Sequence, residues 1–122
     1  MSTGIKAFIR RPRPLPPEVQ VVVAPLGGTS FPSGHVLTYV PFYGFLGFLL
    51  AEHLHDGPLR NASVMTLTSV LALVGPSRIQ QGHHWTTDVV ASYLLGTAYL
   101  FALVELYRAT TPRGLLERIL DR

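Results

Sequence analysis

Cysteine is absent from this chain, which excludes disulfides, thiolate zinc sites and a cysteine nucleophile. Charge is scarce. Asp, Glu, Lys and Arg make up 14% of the residues, against roughly 25% in an average soluble protein. The N-terminal stretch MSTGIKAFIRRPRPLPP lacks the apolar core of a signal peptide. Later helices are therefore expected to direct any membrane insertion. The middle of the chain is almost uncharged, and the net charge of +3 comes from basic residues gathered near both ends. That layout suits phosphate groups or anionic lipid headgroups, and it argues against nucleic acid as a partner.

Apolar residues are abundant, at 48% of 122 residues. No internal repeat or linker divides the chain, so residues 1–122 are read as a single domain. Residues 1–19 are basic and then proline-rich. A short helix is expected from Lys6 to Arg11, followed by extended chain, because proline has no N–H and clashes with a preceding turn. Residues 20–31 hold a short apolar run, readable as strand or loop, and then a turn.

Three apolar stretches follow, Val36–Ala51, Asn61–Ser77 and Val89–Val104, none with a formal charge. Each reaches the roughly 20 residues that span a bilayer once its flanks are added. Helices of a soluble bundle would carry a polar stripe at helical period. The first and third stretches show almost none. The expectation is an all-α membrane bundle of about three transmembrane helices. Gly47 and Ala51, and Ser92 and Gly96, are four apart and suit close helix approach. The C-terminal TTPRGLLERILDR reads as a short amphipathic helix at the membrane interface.

Polar residues form three clusters: Lys6 with Arg10, Arg11 and Arg13; FPSGH, from Phe31 to His35; and SRIQQGHHWTTD, from Ser77 to Asp88. The first helix leaves from the side holding Ser33 and His35, the second returns to it, and the third departs again. The last two clusters therefore share one membrane face, and the first precedes PSGH closely enough to join them. Lys6, Arg13 and Arg78 would converge near two helix N-termini, whose free N–H groups attract anions. Arginine adds a planar fork that matches phosphate oxygens. Ser33 adds a hydroxyl, and Gly34 a backbone that a phosphate can approach closely.

His84 and Asp88 are four apart, a spacing that stacks two residues on one helix face. Asp88 would accept a hydrogen bond from one ring nitrogen of His84, leaving the other to attack phosphorus. His83 is expected to be a packing or interface residue. His35 would be the general acid for the leaving oxygen. His53 and His55 lie at the far end of the first helix, so a metal site shared with HHWTTD is not expected, and no cofactor is called for.

These residues resemble the type 2 phosphatidic acid phosphatase superfamily, which includes the vanadium haloperoxidases. Its first motif, Lys, six residues, Arg-Pro, fits Lys6 and Arg13-Pro14. Its second, Pro-Ser-Gly-His, fits Pro32 to His35. Its third, Ser-Arg, five residues, His, three residues, Asp, fits Ser77-Arg78, His84 and Asp88. The resemblance implies a metal-independent membrane phosphatase acting on a lipid phosphate or polyprenyl pyrophosphate through a phosphohistidine. Lys6, Arg13, Arg78, Ser33 and Gly34 would bind phosphate, with His84 as nucleophile, Asp88 orienting it and His35 as acid. It implies a multi-pass protein of the cell membrane with its site on the non-cytoplasmic face. Membrane members carry six helices, with the first motif after the third, so this chain is expected to match the motif-bearing C-terminal half. Assembly with a second copy is one expectation that follows. The rival readings are a silent membrane fragment and a vanadate-dependent haloperoxidase. The apolar helices argue against the haloperoxidase, whose known relatives are soluble. Gln80 and Gln81 are polar beside the site and bear on substrate preference.

Overall fold

The structure, a computed structural model, describes residues 4, 8–15 and 28–111. Lys6, the apolar run over residues 20–27 and the tail from residue 112 lie outside the described residues. Three helices form the body: α1 (Gly34–His53), α2 (Pro58–Gln80) and α3 (Thr86–Thr110). Each takes in flanking residues beyond its apolar stretch. They contain 20, 23 and 25 residues, or about 30–38 Å at 1.5 Å per residue. A hydrocarbon core of about 30 Å is within the reach of each. The chain is a multi-pass, all-helical membrane protein.

α1 is the central helix. It packs along both α2 and α3, while those two meet over only a short stretch. The start of α1, the end of α2 and the start of α3 share one end of the bundle. The buried apolar core gathers near this end, around Val36, Val40, Val74 and Val89. Farther along the helices, Phe42, Met65, Leu94, Phe101 and Leu106 are exposed. Large side chains turned outward on several sides of a small bundle suit lipid, which solvates them as well as a protein core does.

Small residues set the helix approach. A Cβ on Gly96 would come within 3.0 Å of Val40 Cβ, and one on Gly44 within 2.6 Å of the Leu100 side chain. Ser92 and Gly96 are both buried on α3, as their spacing leads one to expect. Two helices carry proline inside, Pro41 in α1 and Pro76 in α2. At the second, the Tyr93 hydroxyl of α3 accepts the Gly75 N–H at 2.9 Å and donates to the Leu71 carbonyl at 2.6 Å. A side chain from a neighbouring helix thus completes the interrupted ladder.

Candidate active site

The C-terminus of α2 aims the key histidines. After Gln80 the chain turns through Gly82, at φ +70, a conformation that costs glycine nothing. The Gly82 N–H donates to Ile79 O at 2.9 Å and the His83 N–H to Arg78 O at 3.2 Å. This pair of bonds is a Schellman motif, which stops a helix and satisfies its last carbonyls. It delivers His83 and His84 to the gap between α2 and α3.

α3 begins at Thr86, with Trp85 as its N-cap. His84 therefore precedes the helix, and the expected face-sharing of His84 and Asp88 does not arise. Asp88 sits in the first helical turn, fully buried. Its carboxylate accepts the Trp85 N–H at 3.2 Å, a hydrogen bond from Arg11 Nη1 at 2.8 Å and the hydroxyl of Ser30. The carboxylate suits the positive end of the helix dipole. His84 is not among its hydrogen-bond partners. Instead, His84 Nδ1–H donates to the Ser30 carbonyl at 2.7 Å. A carbonyl only accepts, so Nδ1 carries the proton in this bond and, in the neutral ring, the lone pair lies on Nε2. One ring nitrogen is thus held, by the Ser30 carbonyl in place of the expected Asp88 carboxylate.

Arg13 faces that lone pair. Its Nη1 lies 3.4 Å from His84 Nε2 and donates to the His83 carbonyl at 2.7 Å. Burial lowers its pKa from the ordinary arginine value, and the charge of Asp88 works in the opposite direction. Arginine stays cationic through this change at ordinary pH. The segment around it is sewn to α3. Arg11 also donates to Thr87 Oγ1 at 2.8 Å, and Trp85 Nε1–H donates to Pro12 O at 3.0 Å. The helical stretch expected near Lys6 ends at Ile9 among the described residues, and Arg10 turns the chain with φ +47.

Ser33 is the N-cap of α1, yet its side chain makes no cap hydrogen bond. Its N–H donates to Ser92 Oγ at 2.8 Å, while its own Oγ is buried without a hydrogen-bond partner. The Nε of Arg78 is in the same condition. Unpaired buried polar atoms cost roughly 1–3 kcal/mol each. Among the described residues, its chain neighbours and its own helix backbone aside, nothing lies within 4 Å of where a Cβ on Gly34 would be. His35, one residue on, is exposed and meets Tyr39 edge-on at 6.0 Å. His83 is buried, as expected of a packing residue, and neither ring nitrogen finds a hydrogen-bond partner. His53 lies at the other end of the bundle, its Nε2 2.7 Å from the Tyr107 hydroxyl.

The profile of the PAP2 superfamily matches residues 1–112. The chain belongs to the PAP2 superfamily. It is 34% identical over 109 residues to phosphatidylglycerophosphatase B of Bacillus subtilis (strain 168), covering 86% of this chain and 50% of that protein. Among solved structures it is similar to the transmembrane PAP2 type phosphatidylglycerolphosphate phosphatase from Bacillus subtilis. The TM-score is 0.73 at 28% identity, over 92% of this chain and 54% of the other. The chain thus spans about half the length of these PAP2 relatives. Two contributors to the site were absent from the residue set read from sequence. Arg11 was visible only as one of four clustered cations, with nothing to single it out. Ser30 lies outside all three motifs, and its burial beside Asp88 depends on the fold.

Proposed function

We propose that this site hydrolyses a phosphomonoester or pyrophosphate carried by a membrane lipid. The observation that supports this most directly is the His84 ring, held at Nδ1 by an acceptor-only group with Nε2 facing the Arg13 guanidinium. In the first step Nε2 attacks phosphorus and forms an N–P bond. The bond from phosphorus to the lipid oxygen breaks, and that oxygen leaves with a proton from His35. In the second step His35 takes a proton from water, whose oxygen attacks the same phosphorus. The N–P bond breaks, and inorganic phosphate and neutral His84 return.

Arg13 and Arg78, with Lys6 in the matching motif, carry the charge that spreads over the phosphoryl oxygens. Ser33 Oγ–H and the N–H groups that open α1 add donors aimed at the same anion. No step needs a metal ion. The apolar surfaces of α1 to α3 let a lipid tail remain in the bilayer while its headgroup meets these residues. The reading puts the site at the non-cytoplasmic face, as the resemblance implies. The phosphate accounts for Lys6, Arg13 and Arg78 at the motif end, and Asp88 for Arg11, which leaves Arg60 and Arg108 at the opposite end among the charges that bear on orientation.

The test is phosphate release from a lipid phosphate in detergent with EDTA present. Activity that resists the chelator and disappears in His84→Ala is the expected result. Equal release with and without His84 contradicts the reading and leaves the chain a silent membrane unit that retains the motifs.

A further inference from the structure

Ser30 is fully buried and bonded in three directions. Its N–H donates to Arg11 O at 2.8 Å, its hydroxyl donates to Asp88 Oδ2, and its carbonyl accepts from His84 Nδ1 at 2.7 Å. These three partners come from the first and third motif segments, and Ser30 itself belongs to no motif. Asp88 and His84 share no hydrogen bond, yet both are bonded to this one residue.

We propose that Ser30 is the positioning residue through which Asp88 acts on His84. The inference rests on the phosphatase reading above for its kinetic consequences. The carbonyl selects the Nδ1–H tautomer and fixes the plane of the ring. A carbonyl in a loop holds that aim only if the residue bearing it is tied down. The Asp88 carboxylate supplies the tie through the Ser30 hydroxyl, and Arg11 supplies a second through the Ser30 N–H. Arg11 also pairs with Asp88 at 2.8 Å, so the three form a closed bracket around residue 30. The carboxylate thereby works by placing a carbonyl, without touching the imidazole.

Ser30→Ala tests this, because it removes the tie and keeps the carbonyl. Phosphate release from a short-chain phosphatidic acid is measured for the wild-type chain, Ser30→Ala, Asp88→Asn and the double variant. Nitrogen-15 spectra of the His84 ring are recorded for each. The expected kcat of Ser30→Ala is about 10- to 100-fold below wild type, the usual range for a residue that orients another ligand. KM stays within about threefold, since the phosphate-binding cations are intact. The double variant is no slower than Asp88→Asn alone, because both changes cut one linkage. In the spectra the single Nδ1–H tautomer of the wild type gives way to a mixture in Ser30→Ala. A kcat within about threefold of wild type, losses that multiply in the double variant, or an unmoved tautomer would each overturn the proposal. Failure of the phosphatase reading registers separately, as release that survives His84→Ala. The ring spectra then still decide the role of Ser30.

Discussion

At each end of the bundle a histidine makes a short contact. At the motif end His84 Nδ1 lies 2.7 Å from the Ser30 carbonyl, and at the opposite end His53 Nε2 lies 2.7 Å from the Tyr107 hydroxyl. The distances match, but the chemistry does not. A carbonyl accepts and never donates, so it makes Nδ1 of His84 a donor. A tyrosine hydroxyl does both, so it accommodates either tautomer of His53. His84 is also buried next to a guanidinium and close to a buried carboxylate that is itself bonded on three sides. His53 is half-buried among rings, with Tyr107 edge-on to Phe45 and Phe48. A short contact alone therefore does not make a histidine reactive. What distinguishes His84 is the one-way character of its Nδ1 partner and the guanidinium placed beside its Nε2.

That contrast breaks most sharply at His84. His84→Ala is expected to lower phosphate release by more than about 1000-fold, since the proposed nucleophile is gone. Arg13→Ala comes next. Loss of one charged donor to the developing anion lowers kcat by about 100- to 1000-fold, and Arg13→Lys recovers only part of it because the planar fork is lost. Arg11→Ala sharpens the role of the buried carboxylate. It strips Asp88 of its ion-pair partner and is expected to destabilise the fold by about 1–3 kcal/mol, read as a lower Tm in detergent. The pair is partly exposed on the arginine side, which keeps the cost below that of a fully buried pair. His53→Ala has the smallest effect, about 1 kcal/mol in stability for one hydrogen bond. Phosphate release then stays within about twofold of wild type. A large loss of activity in His53→Ala would erase the distinction between the two ends.

Much of this was legible in the sequence because the bilayer simplifies the problem. Uncharged stretches that reach about 20 residues with their flanks have few alternatives to a spanning helix, and alternating passage put PSGH and the segment from Ser77 to Asp88 at one end. The seam at Ser92 and Gly96 followed from residue size. The relation of His84 to Asp88 did not, because it depends on where α3 begins. Spacing of four implies a shared face only inside a helix, and the start at Thr86 leaves His84 outside it. Arg11 and Ser30 escaped for a related reason. Arg11 has three basic neighbours in sequence, and only the packed structure selects the one that meets Asp88. Ser30 acts through its main chain as much as its hydroxyl, and main-chain roles leave no mark in residue identity.

The most direct test of the account is to trap the covalent intermediate. Wild-type chain is mixed with a lipid phosphate bearing radioactive phosphorus, quenched in base and digested. The account predicts label on the peptide containing His84, stable in base and lost in acid as a phosphoramidate should be, with none in His84→Ala. Turnover without labelled histidine, or label that persists in His84→Ala, would contradict it.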